Sequence, residues 1–157
     1  MCDERVAGAT YLLGNLYVIT EKSSNVLVYT GHSPYDLIDT IPVDGMIAVD
    51  IATSYVDVCV YVLDNGNGQV LRIDRKHKHS TFIGGLRRGK LLSMSVTRDG
   101  RIAIVQKNSR ILTYNKDGKA LGSRDVPIEG MLRAAVEVAE STFVACDAAD
   151  ALSLIHI

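Results

Sequence analysis

Short apolar runs separated by turn residues dominate the chain, and one pair of runs shows the pattern most clearly. Residues 60–63 are all apolar and are followed by Asp64, the turn sequence Asn-Gly-Asn-Gly and a second apolar run that begins at Val70. Glycine-rich turns between short apolar runs predict β-hairpins. An uninterrupted apolar run predicts a strand buried on both faces, because a strand with one solvated face alternates apolar and polar side chains.

The same pattern recurs along the chain. Runs like 60–64 also begin at Leu16, Ile102 and Phe143, which gives copies spaced by roughly 41–44 residues. In the first three copies a second apolar run starts about 9 or 10 residues after the first. No segment has a convincing period of 3.6 residues, and residues 133–140 align with strands of the other copies. The repeat therefore consists of strands.

Each copy has room for four short antiparallel strands, which is the size of one β-propeller blade. We predict an all-β fold, a partial β-propeller with three four-stranded antiparallel blades and an incomplete fourth. The predicted propeller domain covers residues 1–151, with blades at 8–43, 47–86, 91–128 and 132–151.

The repeats resemble the NHL repeats of six-bladed, TolB-like β-propellers. The resemblance rests on LYVITEKSSNVLVY and VYVLDNGNGQVLRID and extends over nearly the whole chain. The second copy matches best, whereas Thr20 and Gln106 stand where the pattern has aspartate. Since such propellers usually have five or more blades, the resemblance implies that the remaining blades come from sequence missing here.

The C-terminal residues 152–157, LSLIHI, resemble a translated sequencing adapter. We predict that they form a non-native tail. The alternative is a natural strand of the fourth blade.

Composition excludes few classes of protein. The chain is 47% hydrophobic and 22% charged, and no apolar run approaches the roughly 18 residues of a membrane span. The acidic start does not fit a signal peptide, which weakly favours an intracellular location without assigning a compartment. Cys2, Cys59 and Cys146 have no paired spacing, so we predict reduced thiols.

Two aspartates, Asp64 and Asp147, end equivalent apolar runs. They could be metal ligands at a channel mouth, but their repetition favours a structural role in which each carboxylate holds the following turn. Polar residues of the innermost strands are candidates to line a central channel: Thr10, Asp50, Ser95 and Glu137. The two carboxylates among these channel residues, Asp50 and Glu137, are too few for calcium, which takes about six to eight oxygen ligands. We therefore predict no catalytic residue, no metal and no cofactor.

The sequence Lys76-His77-Lys78-His79 contains a His-x-His spacing. On a strand both imidazoles would face one side and could bind a metal. The flanking lysines disfavour a cation, so a solvated turn is the preferred interpretation.

Basic residues are concentrated between Arg72 and Arg110, where Asp74 and Asp99 are the only acids. Topology divides these cations between the two ends of the strands. The candidate binding residues at the end that carries the loops between second and third strands and between blades, the loop face, are Asn65, Asn67, Arg87, Arg88, Lys90, Lys107 and Arg110.

We predict a non-enzymatic interaction module that binds a protein or peptide on the loop face. The alternative is RNA or polyanion binding by the basic loop-face residues, although aromatic stacking partners are scarce. A calcium-dependent propeller hydrolase is the second alternative.

Overall fold

The computed structural model describes residues 4–127, 131–139, 142–147 and 152–156, with side chains described up to Cys146. All regular elements in this part of the chain are β-strands, so the all-β prediction is confirmed. No described helix could span a membrane. The chain forms two compact units that divide after Gly89, and each is described separately.

The first unit contains two four-stranded antiparallel sheets in which each strand pairs with the next along the chain. The strands of the first sheet are β1 (Val6–Leu12), β2 (Asn15–Thr20), β3 (Asn25–Thr30) and β4 (Leu37–Pro42). Those of the second sheet are β5 (Ala48–Ser54), β6 (Cys59–Asp64), β7 (Gln69–Ile73) and β8 (His79–Ile83).

The second unit contains a four-stranded and a three-stranded antiparallel sheet. The strands of the former are β9 (Leu91–Val96), β10 (Ile102–Gln106), β11 (Arg110–Tyr114) and β12 (Ala120–Asp125). Those of the latter are β13 (Leu132–Ala139), β14 (Thr142–Asp147) and β15 (Leu152–His156). The strand predicted near 133–140 is thus confirmed. The backbone of β15, which comes from the predicted tail, pairs with β14; the origin of these residues remains a prediction.

Within the first unit, an apolar core joins the facing sides of the two sheets. Alternate residues of β2 and β3, such as Ile19 and Val28, pack with Ile51, Val62 and Ile73 of the second sheet. The strands alternate toward this core because successive side chains point to opposite faces of a sheet. Every residue of β6 is buried, as the uninterrupted apolar run predicted.

A smaller core lies within the second unit. It includes Ala103, Val105 and Ile111 of the third sheet with Leu132 and Phe143 of the fourth. The outermost strand, β12, is exposed at all its residues. Burial therefore falls from the middle strands of the third sheet toward its outer edge.

The described cysteines, Cys59 and Cys146, form no disulfide within the described residues, and Cys59 is fully buried. Cys2 lies outside the described residues.

Candidate functional site

The turn between β6 and β7 is organised around the buried carboxylate of Asp64. Its Oδ1 accepts hydrogen bonds from the backbone N–H groups of Ile47 at 3.0 Å, Gly66 at 3.0 Å and Asn67 at 3.2 Å. Its Oδ2 accepts from Asn67 Nδ2 at 2.8 Å and Gln69 Nε2 at 3.0 Å. One carboxylate thus joins the turn to the segment that connects the two blades.

These hydrogen bonds determine the charge state of Asp64. Burial by itself would raise the pKa of the carboxyl group, but donors from Gln69, Ile47 and Asn67 outweigh burial and lower the pKa below its ordinary value. Asp64 is therefore an ionised buried group with donors on both oxygens.

Further hydrogen bonds and close backbone packing hold the same turn against residues 44–47. Asn65 N–H donates to the Ile47 carbonyl at 2.8 Å, and Asn67 Nδ2 donates to the Asp44 carbonyl at 3.0 Å. A Cβ on Gly66 would lie 2.3 Å from the Gly45 oxygen, so only glycine permits this approach. The candidates Asn65 and Asn67 are therefore fixed within the loop face of the first unit.

A groove of about 600 Å³ lies next to this turn. Its apolar residues include Val43 and Leu71, and its polar residues include Asn67, Thr81 and Arg88. Thr81 Oγ1 donates a 2.7 Å hydrogen bond to Gln69 Oε1, which links the groove to the Asp64 network. We call this groove the loop-face groove. It has the volume and the mixed polarity of ligand-binding clefts.

The predicted basic residues of the loop face are divided between the two units. Arg87 and Arg88 are exposed in the first unit, and Arg88 lines the loop-face groove. In the second unit Lys107 N–H donates to the Lys90 carbonyl at 2.8 Å, so these two exposed residues are neighbours.

Arg110 is engaged within its own sheet. Its Nε donates to Asp125 Oδ1 at 2.8 Å and its Nη2 to Asp125 Oδ2 at 3.2 Å. Asp125 thereby raises the pKa of Arg110, and the guanidinium lowers the pKa of Asp125. This bidentate pair reduces the positive charge that Arg110 offers to an anion.

The four predicted channel residues lie on the first strands of their sheets. Thr10 and Thr53 share a 2.8 Å hydrogen bond between hydroxyl oxygens, and Asp50 Oδ1 accepts from the N–H of Ile51 at 2.8 Å. In the second unit Glu137 pairs with Arg101 at 3.1 Å. Ser95 Oγ is buried and has no hydrogen-bond partner in the described part of the chain.

The described residues contain no group of three or more histidine, cysteine, aspartate or glutamate side chains placed to hold a metal ion. The side chain of Asp147, predicted to hold a turn, lies outside the described residues.

The turn between β7 and β8 contains a contact that sequence reasoning missed. His77 Nδ1 lies 2.5 Å from Asp39 Oδ2, and the His77 ring packs edge-on against Tyr17 with ring centroids 5.8 Å apart. The hydrogen bond from His77 lowers the pKa of Asp39. The His-x-His spacing singled out His77, but its carboxylate partner is 38 residues away and belongs to the preceding blade.

Comparison with solved structures supports the propeller fold. Virginiamycin B lyase from Staphylococcus aureus matches with a TM-score of 0.68 and 14% identity, covering 99% of this chain and 57% of that chain. A streptogramin B lyase matches with a TM-score of 0.66 and 12% identity, covering 98% of this chain and 54% of that chain. The computationally designed Ika4 protein matches with a TM-score of 0.70 and 10% identity, covering 100% of this chain and 94% of that chain. No family model matches the chain, and no curated protein sequence matches it.

These likenesses and the four-stranded antiparallel sheets define the fold class as that of a β-propeller, with three four-stranded blades and an incomplete fourth. The chain spans about half the length of the two lyases. The prediction that the chain is not an enzyme is wrong as an exclusion, because the propellers it resembles include lyases, which are enzymes. At this level of sequence identity, structural similarity shows the fold but does not assign a reaction.

Proposed function

We propose that this chain is a binding module of a β-propeller and that its loop-face groove holds an extended protein or peptide segment. The observation that carries the proposal is the groove beside the Asp64-anchored turn. The proposal concerns binding, and it applies equally to a partner and to the substrate of a complete enzyme.

Rigidity of the turn supports the proposal. Five hydrogen bonds to Asp64 hold Asn67 and Gln69 beside the groove before any ligand arrives. A preformed site loses less conformational entropy on binding than a mobile loop does. The ordered turn is therefore suited to present fixed polar contacts to a ligand.

The lining supports a peptide as the ligand. Exposed Pro42 offers apolar contact above the buried side chains of Leu71 and Val43, whereas Thr81 and Arg88 offer hydrogen bonds at the exposed edge. Peptide-binding grooves combine apolar contacts with a few polar groups that fix orientation. The groove has both.

We further infer that the repeats are NHL-like and belong to a longer, six-bladed propeller. The sequence pattern around Asp64 supports the repeat type, and the coverage of about half of each lyase supports a longer chain. Sequencing of the genomic locus tests this inference: the reading frame should continue past Ala151 with further blades. A stop codon at that point in the genome would contradict it.

The binding proposal is tested with displayed random peptides selected on the immobilised 157-residue chain. Fluorescence anisotropy then measures the affinity of the selected peptides for the wild type and for Arg88→Ala and Thr81→Ala. Both substitutions are at exposed groove residues, so the fold should persist. We expect each to weaken binding by about fivefold or more, as truncation of an important contact does.

Lys119→Ala provides the matched control, because Lys119 is exposed and belongs to the second unit. It should bind the selected peptides as the wild type does. Equal affinity of all three variants, or failure to select any peptide, would contradict the proposal.

A further inference from the structure

A second concave site in the first unit lies at the other end of β7 from the loop face. It is a cleft of about 480 Å³, formed by the outer strand of the first blade and the turn before β8. Residues 39–42 line one side, and the basic segment Lys76-His77-Lys78-His79 lines the other. We call it the basic cleft. The cleft shares Pro42 and His79 with the loop-face groove, but the function proposed above uses neither His77 nor the two lysines.

His77 is held in a fixed position in the basic cleft. Its Nδ1 is hydrogen-bonded to Asp39 Oδ2, and the Tyr17 ring packs edge-on against its imidazole. The backbone of His77 has a φ of +59°, a conformation that residues other than glycine rarely adopt. With Nδ1 bound to Asp39, Nε2 is the ring nitrogen that remains for a ligand.

The two carboxylates near the cleft are engaged by internal partners. Asp39 binds His77 through Oδ2 and accepts the N–H of Thr40 through Oδ1 at 2.8 Å. Asp74 Oδ1 accepts the backbone N–H groups of Lys76 at 2.8 Å and Lys78 at 3.0 Å. The acids thus shape the turn, and the basic side chains line the cleft.

The charge balance of the cleft depends on its imidazoles. Lys76 and Lys78 offset Asp39 and Asp74 when both histidines are neutral. Protonation of His77 and His79 adds positive charge at the same place, while Tyr17 stays neutral because burial raises its pKa. An anion therefore gains most from the cleft when the histidines are protonated, and its binding favours their protonation.

We propose that the basic cleft is a pH-dependent site for a tetrahedral oxyanion such as sulfate, phosphate or a phosphate monoester, bound by His77 Nε2 with Lys76, Lys78 and His79. The class of ligand follows from the four basic residues that line one side of a small cleft, which suits a compact multivalent anion. Binding should be tighter at lower pH, because a protonated imidazole adds positive charge to the cleft.

Sulfate is the first probe because its charge does not change over the range in which histidine titrates. Chemical shifts of the backbone amides in the ¹⁵N-labelled 157-residue chain are followed during sulfate titration at about pH 6 and about pH 8. We expect shifts centred on residues 74–79 and an affinity about fivefold or more higher at the lower pH.

Two variants test the assigned side chains. His77→Asn removes the imidazole and places in the left-handed conformation a residue that tolerates it. Lys78→Gln removes an exposed charge without touching the core. Both should lower sulfate affinity about fivefold or more, and only His77→Asn should also reduce its pH dependence. Lys22→Gln, at an exposed position outside the cleft, should match the wild type.

A free phosphate monoester and a lipid phosphate are distinguished by comparing O-phosphoserine with phosphatidic-acid vesicles at equal phosphate concentration. Binding of either one that is lost in Lys78→Gln supports the site and identifies the source. Absence of binding to sulfate and to both phosphate probes would overturn the proposal. So would affinity that does not vary with pH, or affinity that neither cleft variant alters.

Discussion

Single residues in this chain act through backbone that is distant in sequence. Asp64 illustrates this, because its donors come from its own turn and also from Ile47, which precedes β5. The position of the aspartate before a glycine-rich turn is visible in the sequence. The hydrogen bond that Asp64 accepts from the preceding interblade segment is not visible in the sequence, because it depends on how β5 pairs with β6.

Asp64→Asn should lower the free energy of unfolding by about 2 kcal/mol. The NH₂ group of the new amide would face N–H donors whose hydrogen bonds the carboxylate accepts. The folded-state pKa of Asp64 is lowered, so its stabilisation is present above the ordinary unfolded value of about 3.9 and is lost as pH falls through the lower folded value. Urea unfolding of both proteins at several pH values measures this. A difference that persists unchanged in strong acid would contradict the charge assignment.

Gly68→Ala should destabilise the chain by about 1–3 kcal/mol through conformation alone, because φ is +67° at this position. A Cβ would also lie 2.3 Å from the Leu86 oxygen, which adds to the loss. Gly85→Ala separates the two effects, since φ is +72° there and no atom lies within 4 Å of the added Cβ. Thermal unfolding should show a larger loss for Gly68→Ala; equal losses would refute the steric contribution.

Whole strands differ in burial according to their position in a blade. The second strand of the second sheet, β6, is buried at every residue, whereas the outermost strand of the third sheet, β12, is exposed throughout. An uninterrupted apolar run gave the correct prediction for β6, because such a strand needs cover on both faces.

Leu63→Ala in β6 should cost about 2–5 kcal/mol of unfolding free energy, because the site is fully buried and the lost methyl groups leave a cavity. Leu37→Ala in β4 makes the same chemical change at a position that is 53% exposed, and its cost should be below about 1 kcal/mol. Chemical denaturation of the two variants checks the contrast. Similar costs would show that the burial of β6 is assigned wrongly.

At the scale of the whole molecule, charge is distributed unevenly although the net charge is only −1. The basic residues between 72 and 110 belong to both units, and Arg110 is paired with Asp125. Polyanion binding scales with the number of phosphates neutralised together, and the pairing of Arg110 with Asp125 reduces what Arg110 contributes.

If the loop face binds peptides, retention of the chain on an immobilised polyanion should be weak and nearly unchanged by combined Arg87→Ala, Arg88→Ala and Lys90→Ala substitutions. Elution across a salt gradient measures this, because each lost phosphate contact reduces the salt dependence. Strong retention that the triple variant abolishes would favour the RNA alternative over the peptide proposal.

The sequence by itself determined the strands, the repeat and the blade class. These features follow from local hydrophobic periodicity and turn chemistry, both of which are written in consecutive residues. Tertiary structure decided the contacts between residues distant in sequence. The loop-face groove depends on contact of residues 42–44 with β7 and β8, and the basic cleft depends on contact of Asp39 with His77. The ion pair of Arg110 depends on the pairing of β11 with β12, which brings Asp125 alongside. Such contacts are set by strand register and sheet packing, which bring together residues whose local sequences carry no record of each other.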